Sequence, residues 1–111
     1  MRALIQRVLM SQVRVDGVTI GQIEQGLLVL LGVAPDDGVA DRDWLLRKML
    51  NLRIFADGEG RMNRSVTDIQ GGLLIISQFT LFADVSQGNR PSFIRSAPPE
   101  FAESAYNDFL E

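Results

Sequence analysis

The sequence predicts an α+β protein, with mixed, largely antiparallel sheets packed with two helices in β/β/α, barrel-like layers. Three observations carry this. Asp16-Gly17 sits between two short β-branched runs, and a two-residue loop of this kind joins antiparallel strands. Only two stretches, one after Asp41 and one after Pro99, have the spacing of amphipathic helices. Only residues 27–55 read as a crossover, which disfavours a doubly wound parallel sheet.

Across residues 2–15, Leu4, Val8 and Met10 alternate with Ala3, Ile5 and Leu9. Both sets are apolar, which predicts a strand largely covered on both faces. Gln6 and Arg7 interrupt it, and a charge in such a strand must snorkel or find a partner. Residues 13–15 and 18–20 flank the Asp16-Gly17 turn, and the second arm runs on through Gly21-Gln22-Ile23. After Glu24-Gln25-Gly26, residues 27–33 read as a central buried strand.

A loop at residues 34–38 precedes Asp41-Arg42-Asp43, whose acidic character suits the positive end of a helix dipole. The helix that follows carries Trp44, Leu45, Met49 and Leu52 on its apolar stripe, with Leu46 and Leu50 beside them. Trp44 and Met49 read as core residues. Residues 52–55 exit into a short strand, and Asp57-Gly58-Glu59-Gly60 turns. Its carboxylates do not match the spacing of a calcium loop, so a solvated turn is expected.

The chain is organised around residues 71–84. A glycine pair opens the run, Leu73-Leu74-Ile75-Ile76 follow, and the pattern then turns polar at Ser77-Gln78 and Thr80. This reads as a strand buried on both faces, residues 73–81, with polar groups at its end. Those groups are hydrogen-bonded fillers or the wall of a pocket. Beyond them, Gly88-Asn89 signals a turn and Pro91 pushes Arg90 towards an extended conformation. The planar fork of Arg90 suits phosphate or carboxylate, or it is a solvated loop charge. Pro98, Pro99 and Glu100 then suit a first helical turn. Phe101, Ala102, Ala105, Tyr106, Phe109 and Leu110 form its stripe.

Composition excludes much chemistry. The chain has 111 residues, enough for one domain, and no cysteine or histidine. Ser-His-Asp and Cys-His nucleophiles are therefore absent, as are the ligands most zinc and transition-metal sites use. Proton transfers must fall to a carboxylate, Lys48, Tyr106, water, backbone or the substrate. The net charge is −3, which disfavours binding to long nucleic-acid backbones but leaves room for a short single-stranded end. The longest apolar run, residues 26–34, is too short to span a bilayer. Gln6 and Arg7 interrupt the N-terminal run a signal peptide would need, so a cytoplasmic protein without membrane contact is expected.

Ser77-Gln78-Phe79-Thr80-Leu81 together with Asn89-Arg90-Pro91-Ser92-Phe93 resembles the D-aminoacyl-tRNA deacylase family. Gln6-Arg7-Val8, the run at residues 26–33, Leu52-Arg53-Ile54-Phe55 and the run at residues 60–65 agree in order. The resemblance covers the whole chain. It implies a cytoplasmic homodimer that hydrolyses the ester between a D-amino acid, or glycine, and tRNA, with no cofactor and no metal, and with the aminoacylated tRNA 3′ end, not DNA, as its partner. It implies that Ser77 and Gln78 line the pocket for the aminoacyl-adenosine end, and that the backbone of Phe79 holds the scissile carbonyl. Thr80 is implied as the second catalytic residue, although no histidine can activate it, and the 2′-hydroxyl of the terminal adenosine is expected to assist. Arg7, Arg90, Pro91, Ser92 and Phe93 complete the implied substrate-binding set.

The sequence departs from the family in one respect. The family reads chirality with a Gly-Pro pair near its C-terminus, and no Gly-Pro occurs in this chain. Arg7 resembles the arginine that braces that loop. Asp108 and Glu111 also stand where a helix dipole disfavours negative charge. The expectation is a single deacylase-like domain, residues 1–111, lacking the family's C-terminal strands and inactive at this length as a selective deacylase. The competing expectation is a non-catalytic dimeric module that binds a nucleotide or small ligand on the same scaffold.

Overall fold

A computed structural model of the chain describes residues 1–93 and 95–110. Expectations that rest on Glu111, or on the side chains of Asp108 and Phe109, lie outside the described residues. The elements are β1 (Arg2–Val8), β2 (Ser11–Val15), β3 (Val18–Ile23), β4 (Gly26–Gly32), α1 (Val39–Asn51), β5 (Phe55–Ala56), β6 (Met62–Arg64), β7 (Gly72–Ser77) and α2 (Pro99–Leu110). One sheet has the strand order β1-β4-β7, and the ladders β2-β3 and β5-β6 are antiparallel. The α+β class therefore holds.

The chain divides into two compact units, and β1, β4 and β7 each contribute residues to both. One unit comprises residues 5–29 and 47–74. In it the Asp16-Gly17 turn forms as its sequence requires. Val15 pairs with Val18, and both turn residues are left-handed, Asp16 at φ 51° and Gly17 at φ 80°. That twist matches the twist of the flanking strands. Gly72 N donates to Gln25 O at 3.0 Å. A Cβ added at Gly26 would stand 2.0 Å from Gly72 O, so only glycine permits this approach. Asp57 accepts from the amides of Glu59 and Arg61 at 2.8 and 3.0 Å, and these bonds, Arg61 first, hold its carboxyl below the usual range. Gly58, Glu59 and Gly60 of this turn are exposed. Among the described residues no cluster of carboxylates could hold a metal.

The other unit comprises residues 1–4, 30–46 and 75–111. The Met1 ammonium meets Asp37 Oδ1 at 2.6 Å with both groups almost fully buried. Ala97 N donates to Val33 O at 2.8 Å. Pro99 opens α2 as its fixed φ favours, and Ala102 N closes the first turn on Pro98 O at 2.9 Å.

Four expectations need correction. The predicted strand over residues 2–15 is two strands, broken at the exposed Leu9 and Met10. β1 is not covered on both faces, since Arg2, Leu4 and Gln6 are exposed. The run at residues 73–81 is not one strand buried on both faces. β7 stops at Ser77, lies at the edge of its sheet and is half-buried along residues 72–76, and the chain then curls into a 3-10 turn, Phe79–Phe82. Finally, Trp44 is 56% exposed and Leu52 lies beyond the helix, so Met49 is the buried residue of α1. Asn51 ends that helix by donating its side-chain amide to Arg47 O at 2.7 Å. Leu27, Val29 and Met49 are fully buried in the first unit and Leu31 in the second. Among the described residues no helix is long and apolar enough to cross a membrane.

Candidate active site

The polar step after β7 becomes a tight turn because its ends are tied. Gln78 is extended, at φ −144° and ψ 96°, and its amide donates to Leu31 O at 2.7 Å. The ladder of the turn begins when Leu81 N donates to Gln78 O at 3.4 Å and continues with Ala83 N on Thr80 O at 3.1 Å. The amides of Phe79 and Thr80 precede that ladder, as the first amides of any helical turn do. Phe82 is buried beneath. A Cβ at Gly32 would meet its ring at 2.8 Å and Gln78 O at 3.2 Å, so glycine in β4 lets the turn sit down on the strand.

Thr80 is exposed, and its Oγ1 accepts from Gln78 Nε2. An amide N–H donates and cannot take a proton, so this partner does not make Thr80 a nucleophile. The Phe79 ring, 56% exposed, meets Phe93 edge to face, with centroids 5.0 Å apart and planes at 72°.

These two aromatic rings and Ser77 form one side of a largely apolar cleft of about 460 Å³. The other side comes from the segment leading into α2 and from α2 itself: Ser96, Ala97, Pro99, Ala102, Glu103 and Tyr106. Tyr106 donates its hydroxyl to Ile75 O at 2.6 Å, tying α2 to β7. The hydroxyl oxygen of Ser96 is buried and has no hydrogen-bond partner among the described residues. Sequence reasoning missed this second wall. Ala102 and Tyr106 have helical spacing and read as core, and nothing in the pattern marks a helix face that lines a cleft.

The loop between the turn and the cleft is closed by Asp84 and Ser92, which exchange backbone bonds at 2.7 and 2.8 Å. Asp84 accepts from Ser86 N at 2.9 Å. That bond, the Ser86 hydroxyl and then the charge of Arg95 hold its carboxyl below the usual range. Arg90, Pro91 and Ser92 are exposed on this loop and do not line the cleft. Arg7 belongs to the other unit, is exposed, and donates to Ile54 O at 2.8 Å. The structure therefore brings Ser77, Phe79 and Phe93 together on one cleft, with Gln78 and Thr80 in the same turn.

Comparison with known proteins identifies the family. Residues 4–111 match the family model described as D-Tyr-tRNA(Tyr) deacylase. A D-aminoacyl-tRNA deacylase of Prosthecochloris aestuarii is 55% identical over 111 residues, covering all of this chain and 76% of that protein. One of Opitutus terrae is 58% identical, covering all of this chain and 74% of that protein. Among solved structures, the c-Myc DNA Unwinding Element Binding Protein superimposes with a TM-score of 0.93 at 43% identity, over 99% of this chain and 74% of that one. A probable eukaryotic D-amino acid tRNA deacylase superimposes at 0.78 and 18% identity, over 96% and 63%, a likeness of fold alone. With a match spanning residues 4–111 and relatives above half identity, the chain belongs to the D-Tyr-tRNA(Tyr) deacylase family.

Proposed function

We propose that the protein hydrolyses the ester bond of D-aminoacyl-tRNA, and of mischarged glycyl-tRNA, releasing the amino acid and free tRNA. The observation that carries this reading is the Phe79–Phe82 turn standing beside an apolar cleft, in a chain without histidine or cysteine. The terminal adenosine lies in the cleft between Phe79, Phe93 and α2. The ester carbonyl lies against the Phe79 amide, which stabilises the negative charge that develops on its oxygen. Water adds to the carbonyl carbon, the bond to the ribose 3′ oxygen breaks, and that oxygen takes a proton. The 2′-hydroxyl relays the proton, since the turn offers no general base. Arg90 stands on an exposed loop where it can reach a phosphate of the 3′ end.

The protein acts in the cytoplasm as a homodimer, with residues 1–111 as one deacylase-like domain. The dimer reading draws support from the exposed Val18 and Ile20 of β3, apolar surface that a second copy would cover. A DNA-binding reading, raised by the name of one structural neighbour, is opposed by the net charge of −3. Deacylation of D-Tyr-tRNA and L-Tyr-tRNA in parallel tests the proposal. Release of tyrosine from the D-ester above the uncatalysed rate supports it. A rate equal to the buffer control for both esters contradicts it and leaves the ligand-binding reading.

A further inference from the structure

The turn that carries Phe79 and Thr80 is tied at its start by Leu31 O. Its far end is tied by a residue from the first strand. Arg2 Nη1 donates to Leu81 O at 2.8 Å, and the Arg2 guanidinium carbon stands 4.6 Å from the centroid of the Phe82 ring. Two independent contacts therefore hold one side chain on the exit of the turn. Each has a physical reason. The last carbonyls of a helical turn lack partners within it and favour a cation. The face of an aromatic ring attracts a guanidinium, which stacks on it better than an ammonium does. Phe82 cannot retreat from this contact, because its ring already abuts Gly32. Arg2 is itself anchored, since the neighbouring Met1 ammonium is buried on Asp37.

We propose that Arg2 is a positioning residue for the deacylation site. Pressed on Phe82 and bonded to Leu81 O, it fixes where the turn places the Phe79 amide. It touches no substrate and does not line the cleft. The inference rests on the proposed hydrolysis for its kinetic readout only. The placement of the amide is readable without it.

The experiment uses Arg2→Ala and Arg2→Lys in the whole protein, with D-Tyr-tRNA as substrate. Arg2→Ala is expected to lower kcat about tenfold, because a small displacement of a positioned group is costly to the rate. KM should stay within about twofold, because the cleft walls that bind the adenosine are untouched. Arg2→Lys should recover part of kcat, since it keeps the charge and a donor while stacking less well. The amide resonance of Phe79 should shift in Arg2→Ala, and in Phe82→Leu, which removes the ring and leaves the fold an apolar residue of similar size. An unchanged kcat, or a raised KM at constant kcat, overturns the proposal. So does an unshifted Phe79 resonance in both variants. If the unsubstituted protein does not hydrolyse the ester, the proposed function fails, and the Phe79 resonance alone decides the role of Arg2.

Discussion

β4 and β7 read alike in the sequence and behave differently in the structure. Each opens on glycine and runs through four or five aliphatics. β4 lies in the middle of its sheet, with Leu27, Val29 and Leu31 wholly buried. β7 lies at the edge, half-buried along residues 72–76, and it alone ends in a turn that carries candidate chemistry. A middle strand has both ladder edges and both faces occupied, so it can only be structure. An edge strand leaves a side free, and its end can be turned towards a ligand. Composition chose the strand in both cases, and position in the sheet chose the role.

The largest expected effect tests that contrast. Leu31→Ala should cost about 2–5 kcal/mol in urea unfolding, because it empties a fully buried site. Ile75→Ala, in the half-buried strand, should cost clearly less. Equal losses would show that β7 is as enclosed as β4.

A smaller effect is expected where the edge strand meets α2. Tyr106→Phe removes the donor to Ile75 O and should cost about 1 kcal/mol, the net contribution of one hydrogen bond. Deacylation should weaken with it if that bond keeps the cleft wall in place, and the same preparation can be assayed for both.

The smallest effect concerns the loop beyond the turn. The Asp84 carboxyl titrates below its ordinary value because Ser86 donates to it. A depressed carboxyl stabilises the fold above the ordinary carboxylate range, and that contribution is lost as pH falls through the lowered value. The unsubstituted protein should therefore lose a little stability below about pH 4 that Asp84→Asn lacks at every pH. The group is exposed and the difference should be slight. Melting curves from neutral to acid pH check it, and identical acid limbs would show that the Ser86 bond adds nothing.

Several parts of this architecture were legible because they depend on neighbours in sequence. Asp16 and Gly17 both tolerate the left-handed region, so their turn could be named from two residues. Pro99 has a fixed φ and no amide to satisfy, so the start of α2 was equally local. The aliphatic residues of β4 admitted no reading but burial. The misread parts depend on what lies opposite. Trp44 has helical spacing with Met49, yet it is exposed while Met49 is buried, and periodicity does not say how wide a stripe its neighbours cover. The break at Leu9-Met10 carries no glycine or proline to announce it. In the site, Ser77 to Thr80 were found by their polar interruption of an apolar run. Ser96 was missed, and Tyr106, named only as a possible proton carrier, was not placed on a cleft wall, because a lone serine and a helical aromatic look like loop and core until the opposite wall is known. Arg7 was expected to be enclosed and is exposed, although it has the carbonyl partner that its charge called for.

In the proposed mechanism the turn after β7 supplies geometry and a backbone donor, and no side chain attacks the ester. The most direct measurement compares single-turnover deacylation of D-Tyr-tRNA by the unsubstituted protein and by Thr80→Val, alongside a substrate ending in 2′-deoxyadenosine. Thr80→Val should keep most of its rate, because among the described residues its hydroxyl is partnered by the Gln78 amide, which cannot take its proton, while the deoxy substrate should react very slowly. A covalent ester trapped on Thr80, with Thr80→Val inactive and the deoxy substrate cleaved normally, would contradict it.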